Sequence, residues 1–406
     1  MPWSLDDDAA GPRKVLVFEP DAEGHSLEWL EHLIAFAGEH RDIDLTVVVA
    51  QPLQQPLTHA IPSGAQGRIR VLALTRLERR LCTMRPMSLA ALARWWMMRR
   101  YLRRSGAEHG FFLCLDFLTL PLAFGLSGGG KDLSGILFRP SVHYGDIGPY
   151  APSRGERLRD ARKAILYRAM LRNPALVRVL SLDPFFPAHA RAHYRGGEKV
   201  VALPDPAHPR IDQPANDVAP AFPPDRVGFL LFGYLAERKG PLVVLEALRR
   251  LAPETAQRVA VLFAGKVDPD LRPELERRHA VLAREQPGLW FKVDNRRLHS
   301  GELEALIRQS HVVLAPYQRF VGSSGVLLWA ALNARPVLAQ NYGLVGRLTR
   351  DHRLGVSVDS SAPTEIAREI TRMVREGPTH CFDAKAAEQF AAAQTPRHFA
   401  SLVLSV

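Results

Sequence analysis

Four small residues between two apolar segments offer the clearest chemistry in this sequence. The G-S-S-G turn consists of Gly322, Ser323, Ser324 and Gly325. An apolar run at 312–315, typical of a buried parallel strand, precedes the turn, and a helix is predicted at 326–332. Unpaired backbone N–H groups and the positive end of a helix dipole favour an anion at such a turn. The turn therefore predicts a phosphate site, although many α/β proteins carry a similar turn with nothing bound.

A second turn of this kind lies at 233–240, where G-Y-L-A-E-R-K-G follows an apolar run. Arg238 and Lys239 stand directly before the helix predicted at 241–251. Two side-chain cations therefore add to the positive end of that helix. The two turns together favour an anionic ligand in the C-terminal half.

Three polar residues follow predicted strands in the N-terminal half. His25 lies in the loop that follows the strand at 14–18 and begins with Glu19, and Asp116 ends the strand that begins at 110. His143 follows the strand at 135–138. Ligands of doubly wound sheets bind beyond the carboxyl ends of strands, so His25 is a candidate general base or substrate contact. The alternative is a histidine at a helix terminus with no chemistry.

Strands and helices alternate along both halves of the 406-residue chain, which predicts two doubly wound α/β domains. Proline is frequent from 204 to 224, and the domain boundary is placed there. The predicted parts are an N-terminal domain at 1–210, a linker at 211–225, a C-terminal domain at 226–390 and a tail at 391–406. The tail can pack back on the first domain.

The chain carries 53 Lys and Arg against 42 Asp and Glu, a net charge of +11, which indicates an anionic partner. A helix predicted from about Ser88 combines apolar and aromatic residues with five arginines: Arg94, Arg99, Arg100, Arg103 and Arg104. This pattern suits an anionic membrane surface, and it also suits a domain helix with a solvated basic face. No helix-turn-helix or aromatic RNA motif accompanies it, so no nucleic-acid partner is predicted.

Other chemistries find little support. The three cysteines are far apart and no acidic pair has convincing metal spacing, so no metal site is predicted. G-L-S-G-G-G-K-D at 125–132 has Asp132 where a phosphate loop needs Ser or Thr, and it is interpreted as a surface loop. The sequence shows no secretory signal and no apolar run of membrane-spanning length. We expect a cytoplasmic protein, and membrane contact would place it at the inner membrane face.

The stretch from about 229 to 359 resembles a known family. F-G-Y-L-A-E-R-K-G, V-V-L-A-P-Y and G-S-S-G-V-L-L-W-A-A-L-N-A-R-P-V-L-A are similar to the donor-binding signature of family-four glycosyltransferases (glycosyl transferases group 1). The resemblance implies the GT-B fold, with two Rossmann-like domains facing across a cleft. It implies a nucleotide-sugar donor on the C-terminal domain, an acceptor on the N-terminal domain, and transfer without a metal or other cofactor.

The resemblance also assigns roles. Lys239, helped by Arg238, would hold the donor diphosphate and stabilise the charge that grows as it leaves. The G-S-S-G turn would meet the phosphates or the sugar, and Asp294 would lie near the base. His25, Asp116 and His143 are the candidates for positioning or deprotonating the acceptor hydroxyl.

Three positions depart from the family pattern. Val321 and Trp329 stand where the group normally has two glutamates, and Tyr234 replaces an arginine. Lost hydrogen bonds to the donor are each worth about 0.5–1.5 kcal/mol, more when charged. The leading hypothesis is a metal-independent hexosyltransferase-like enzyme of polysaccharide biosynthesis with a glycan or lipid-linked acceptor. The alternatives are a non-catalytic sugar-nucleotide or glycan-binding protein and a sugar-nucleotide epimerase on the same fold.

Overall fold

The computed structural model describes residues 11–22, 26–206 and 219–405. Its contacts divide the chain into two compact units. The first consists of the chain up to Val142, Ser153–Pro206 and the residues from Pro396 onward. The second consists of His143–Pro152 and, among the described residues, the chain from 219 to Thr395. The predicted linker at 211–225 lies mostly outside the described residues, and the predicted domain ranges stay a prediction.

The first unit is built on a parallel sheet with seven strands in the described part of the chain. The strands are β1 (Arg13–Glu19), β2 (Ile43–Val49), β3 (Ile69–Ala73), β4 (His109–Phe112), β5 (Asp132–Leu137), β6 (Leu176–Ser181) and β7 (Val200–Ala202). Their order in the sheet is β3-β2-β1-β4-β5-β6-β7. The strand order therefore reverses between β1 and β4, which is where such sheets bind ligands.

Helices cover this sheet and bury its apolar side chains. They are α1 (Ser26–Glu39), α2 (Gln51–His59), α3 (Arg76–Cys82), α4 (Met87–Ser105), α5 (Thr119–Ala123), α6 (Arg154–Met170) and α7 (Phe186–His193). Local sequence fixes several ends: α3 begins with a reciprocal capping box between Thr75 and Glu78, and α4 ends at Gly106 in the left-handed region.

The second unit repeats the pattern with six parallel strands among the residues described. They are β8 (Val227–Phe232), β9 (Val259–Ala264), β10 (Trp290–Asp294), β11 (Val312–Ala315), β12 (Val337–Gln340) and β13 (Gly355–Val358). The helices are α8 (Pro241–Leu248), α9 (Pro253–Ala256), α10 (Arg272–Glu285), α11 (Ser300–Gln309), α12 (Val326–Leu332), α13 (Gly343–Asp351), α14 (Pro363–Glu376) and α15 (Ala384–Ala392). The order β10-β9-β8-β11-β12-β13 places the switch point between β8 and β11. The predicted fold class of two doubly wound Rossmann-like domains is confirmed.

Each unit is completed by a distant piece of chain. The last helix, α16 (Pro396–Leu404), packs on α1 of the first unit, where the Phe399 ring lies 5.1 Å from the Trp29 ring. The segment His143–Pro152 belongs to the second unit, where Tyr150 stacks on Tyr342 at 5.1 Å. No helix among the described residues is both long and apolar enough to cross a membrane.

Candidate functional site

The second unit brings two backbone turns together at its switch point. Gly240 lies between the turn that follows β8 and the start of α8, and its φ is +80°. A Cβ at this position would lie 2.3 Å from the carbonyl oxygen of Pro316, the residue that follows β11. Both the conformation and the space therefore require glycine. The close approach holds the predicted phosphate turn against the end of the central strand.

Lys239 is a buried cation at this switch point. Its side chain is 8% exposed, and its Nζ donates a 2.7 Å hydrogen bond to the carbonyl oxygen of Phe232 at the end of β8. The Nζ also lies 5.5 Å from the centre of the Tyr317 ring. No carboxylate among the described residues forms an ion pair with Lys239, so its charge is left to act on an anion.

The G-S-S-G turn meets the same tyrosine. Ser324 Oγ lies 2.7 Å from Tyr317 Oη, and α12 begins two residues later at Val326. The guanidinium of Arg238 lies over the Phe320 ring at 5.2 Å. The main-chain carbonyl oxygen of Arg238 accepts a hydrogen bond from Gln318 N. Arg238, Lys239 and the G-S-S-G turn thus form one cluster around Tyr317, in which Gly322 is buried and Ser323 and Gly325 are half-buried.

Asp294 lies apart from this cluster. It ends the edge strand β10, two strands from β8, and pairs with Arg296 at 3.1 Å. Lys266, which is separated from the end of β9 by Gly265, is exposed between these two positions at the carboxyl edge of the sheet. Lys266 was not predicted as a site residue, although a lysine just after a buried strand is a visible signal.

The residues at the altered glutamate positions do not supply acceptors for a ligand. The carbonyl oxygen of Val321 accepts a hydrogen bond from Leu344 N at the start of α13. Trp329 lies on α12, partly buried against the core. Arg319, two residues before Val321, has a φ of +51°, and its backbone N–H donates to the Tyr342 hydroxyl at 2.7 Å. A strained non-glycine backbone next to the cluster is a further candidate position that sequence patterns did not indicate.

The first unit has a cavity of about 490 Å³ at its own switch point. Glu19 at the end of β1, Asp116 after β4 and Arg139 after β5 line it. Glu19 is only 3% exposed and accepts a 2.8 Å hydrogen bond from Asp21 N. Burial raises the pKa of Glu19 to about 8, although the Asp21 N–H and Arg94 oppose the shift. At neutral pH the Glu19 carboxyl is therefore mostly protonated and can donate a hydrogen bond.

Burial also shifts the pKa of Asp116 and Cys114, which line this cavity, and of the nearby Lys163. Asp116 accepts a 2.7 Å hydrogen bond from Phe138 N, and burial raises its pKa in spite of that bond and of Lys163. Burial lowers the pKa of Lys163, which donates to the Arg139 carbonyl oxygen at 3.0 Å. Burial likewise raises the pKa of Cys114 well above its ordinary value, so this residue is a thiol and a poor nucleophile.

Two of the three predicted catalytic residues, Asp116 and His143, lie among the described residues. Asp116 lines the cavity of the first unit, whereas His143 is buried in the second unit, with its ring 4.9 Å from Tyr144. His25 lies outside the described residues. Glu19 was not selected as a site residue from the sequence, although it directly follows the first predicted strand. The catalytic roles of His25, Asp116 and His143 stay predictions.

The predicted basic face of α4 needs one correction. Arg94 is 4% exposed, and its guanidinium donates to both carboxylate oxygens of Asp21 at 2.9 and 3.0 Å. It is a buried ion-pair residue and not part of a surface. Tyr101 is also buried, and its hydroxyl donates to Glu78. The apolar side chains that α4 does expose are Met87, Leu89, Leu92 and Trp96.

No group of three or more His, Cys, Asp and Glu side chains that could hold a metal occurs in the described ranges.

Comparisons with known proteins agree with these features. Residues 226–376 match the family model described as glycosyl transferases group 1. HepE of Anabaena, solved in complex with UDP, has a TM-score of 0.61 at 16% identity, covering 97% of each chain. Sucrose-phosphate synthase of Thermosynechococcus elongatus has a TM-score of 0.64 at 14% identity, and the match covers 96% of this chain and 97% of that one. WaaG, a glycosyltransferase of lipopolysaccharide biosynthesis, has a TM-score of 0.62 at 14% identity, and the match covers 97% of this chain and 100% of that one. No curated protein sequence matches the chain.

The fold is of the GT-B class shared with these solved structures. Residues 226–376, the larger part of the second unit, match the glycosyl transferases group 1 family. The resemblance noted in the sequence is therefore confirmed, and the donor-binding signature coincides with the cluster around Tyr317.

Proposed function

We propose that this enzyme transfers a sugar from a nucleotide-sugar donor, bound by the second unit, to an acceptor hydroxyl bound by the first unit. The observation that carries the proposal is Lys239, a buried ammonium whose described contacts are a carbonyl oxygen and aromatic rings. HepE was solved in complex with UDP and with UDP-glucose, which favours a UDP-sugar as the first donor to test.

The proposed chemistry is electrostatic. As the bond between the sugar carbon and the diphosphate breaks, negative charge accumulates on the departing phosphate oxygens. Lys239 and Arg238 lie before α8, and the hydroxyls of Ser323 and Ser324 lie before α12. Donors already fixed by the fold stabilise that charge without reorganising, so no metal is needed to neutralise the leaving group. Asp294 is proposed to lie near the nucleotide base.

The proposed acceptor site is the cavity of the first unit. Its carboxyl groups, Glu19 and Asp116, can donate hydrogen bonds to an acceptor hydroxyl or accept them from it. Arg139 adds a cation. We propose that one of these carboxyls, with His25 as the other candidate, positions or deprotonates that hydroxyl. The exposed apolar residues and arginines of α4 favour a lipid-linked acceptor or a glycan at an anionic membrane surface, and thus a peripheral position at the inner membrane face.

The donor proposal is tested by replacing Lys239 with methionine, which preserves most of the buried volume. Calorimetric titration with UDP and UDP-glucose, in EDTA throughout, should give a Kd at least about tenfold larger for Lys239→Met, since a hydrogen bond to a charged group is worth roughly 1.5–3 kcal/mol. Lys385→Ala removes an exposed lysine of the same unit and should bind as the unaltered protein does. Equal affinity in Lys239→Met would contradict the proposal.

A second function, non-catalytic binding of a sugar nucleotide or glycan, is favoured by the apolar residues Val321 and Trp329 at the usual glutamate positions. The same samples separate the two functions when UDP release from UDP-glucose is measured with candidate acceptors. Release that depends on Lys239 and yields a glycosylated product establishes the transferase. Lys239-dependent binding with no release in any acceptor mixture supports the binding protein, and free isomerised sugar nucleotide without an acceptor indicates an epimerase.

A further inference from the structure

Three arginines of α3 surround a second cavity in the first unit, which we call the arginine pocket. It has a volume of about 510 Å³ and is lined by Arg76, Arg79, Arg80, Gln51 and Thr83, together with neighbouring apolar residues. The pocket lies at the carboxyl ends of β2 and β3, on the edge of the sheet where β1 presents Glu19. It is separate from the cavity that Glu19 and Asp116 line.

The charge of this pocket is not neutralised by the described protein. None of its three arginines forms an ion pair with any residue in the described ranges. The single acid of α3, Glu78, is 6% exposed and already accepts hydrogen bonds from Arg100 Nη1 at 2.8 Å and from the Tyr101 hydroxyl at 3.1 Å. Between residues 76 and 105 the sequence has nine arginines and only this one acid. The pocket therefore holds three guanidinium groups with donors to spare.

The fold adds further donors and a connection to the acid cavity. Gln51 and Pro52 are the first residues of α2, so the positive end of that helix lies at the pocket. Arg94 donates to the carbonyl oxygen of Cys82 at the end of α3 and to the carboxylate of Asp21 in the loop after β1. The loop that follows Glu19 is thus tied to the helix that carries the arginines.

We propose that the arginine pocket binds a phosphate-type anion carried by the acceptor, while the acceptor hydroxyl lies in the cavity at Glu19. This assignment rests on the proposed function, but the anion site itself does not. Guanidinium groups match phosphate oxygens through paired, charge-assisted hydrogen bonds. The phosphate can belong to a soluble phosphate ester or to a lipid headgroup. If a lipid carries the phosphate, Leu77 of α3 and Leu89 of α4, which are 68% and 50% exposed, are available for apolar contact with it.

The test uses inorganic pyrophosphate as the probe in calorimetric titrations of the full chain. Because the donor site also attracts pyrophosphate, the titrations are made in the Lys239→Met background and in the unaltered protein. We expect the Lys239→Met protein to retain a pyrophosphate site, and the added changes Arg76→Gln, Arg79→Gln and Arg80→Gln to weaken it at least about tenfold. The three matching lysine substitutions should keep most of the affinity, since they keep the charge.

The matched control is Arg168→Gln, Arg191→Gln and Arg195→Gln, which removes the same charge from exposed positions of the first unit away from the pocket. Equal pyrophosphate affinity in the pocket and control variants overturns the proposal, as does loss of all binding in Lys239→Met alone. If Lys239→Met binds UDP as tightly as the unaltered protein does, while pyrophosphate binding still depends on the three arginines, only the proposed function is refuted.

Sedimentation with vesicles identifies the source of the anion. If the phosphate is a lipid headgroup, phosphatidylglycerol vesicles bind the control variant and not the pocket variant, and phosphatidylcholine vesicles bind neither. If it belongs to a soluble ester, the two variants bind phosphatidylglycerol equally while pyrophosphate binding still depends on the pocket.

Discussion

Glu19 shows how one residue acquires its chemistry from the fold. It ends a strand whose other residues are apolar, so the fold carries its carboxyl into the interior at the switch point. The groups that face it are Asp21, Arg94, Cys114, Asp116 and Arg139. Desolvation outweighs the Asp21 N–H and Arg94, and the pKa rises to about 8. A carboxyl with this pKa can either donate or accept a proton near neutral pH, which suits contact with an acceptor hydroxyl.

The raised pKa predicts a pH-dependent stability. Between about pH 4.5 and pH 8 the folded protein holds a proton on Glu19 that the unfolded chain has released, so stability falls as pH rises through this range. The Glu19→Gln variant has no titrating group at this position, so its stability does not fall for this reason. Its stability relative to the unaltered protein should therefore increase by on the order of a few kcal/mol from pH 5 to pH 8 and then level off.

Urea unfolding at a series of pH values measures this difference. Glu108→Gln, an exposed glutamate of the same unit, is the control and should give a difference that does not grow with pH. A stability gain in Glu19→Gln that is constant from pH 5 to pH 9 would show that Glu19 titrates normally.

The single residues found from sequence are those with a local signal. Lys239 and Ser324 follow glycine-marked strand ends, and the fold collects them around Tyr317, the last residue of V-V-L-A-P-Y. Arg94 was misplaced because an arginine on an amphipathic helix suggests a surface position. Only the contact with Asp21, 73 residues away, explains its burial.

Among the elements, the central strands and their helices were predictable because period and turn chemistry are local properties. The stretch from β11 to β12 has the order expected from its apolar runs. The segment between α5 and α6 that joins the second unit was not predictable in the same way. His143–Pro152 shows no sequence signal for its place in the second unit, because the stacking of Tyr150 on Tyr342 depends on residues about 190 positions apart.

The return helix α16 should stabilise the first unit. Phe399 is fully buried against Trp29, and Val403 and Leu404 are buried beside it. Phe399→Ala should therefore cost about 3–5 kcal/mol, from lost apolar burial and the cavity left behind.

The control for this helix is Arg397→Ala, which removes a largely exposed ion pair with Glu39 and should cost no more than about 1 kcal/mol. Urea unfolding gives both values, and hydrogen exchange of the β1 and α1 amides shows whether the first unit is the part that loosens. A cost below about 1 kcal/mol for Phe399→Ala would mean that α16 adds little to this core.

Across the whole molecule, the net charge of +11 acts at a longer range than any pocket. At about 10 mM salt the screening length is roughly 30 Å, so the summed field attracts any polyanion, whereas at 0.15 M it shrinks to about 8 Å. Composition alone predicted an anionic partner but could not choose one, since it does not say where the charge lies. The structure concentrates arginines on α3 and α4, beside exposed apolar residues.

This arrangement predicts different salt responses for two anionic surfaces. A short DNA duplex should bind at about 10 mM salt and dissociate by 0.15 M, because only the general field attracts it. Phosphatidylglycerol vesicles should still bind at 0.15 M, since Leu89 and Trp96 add apolar contact that salt does not screen. Leu89→Gln with Trp96→Gln should reduce vesicle binding at 0.15 M severalfold and leave DNA binding at low salt unchanged. Flotation and fluorescence anisotropy measure the two. DNA binding that persists at 0.15 M would instead make nucleic acid the partner of this surface.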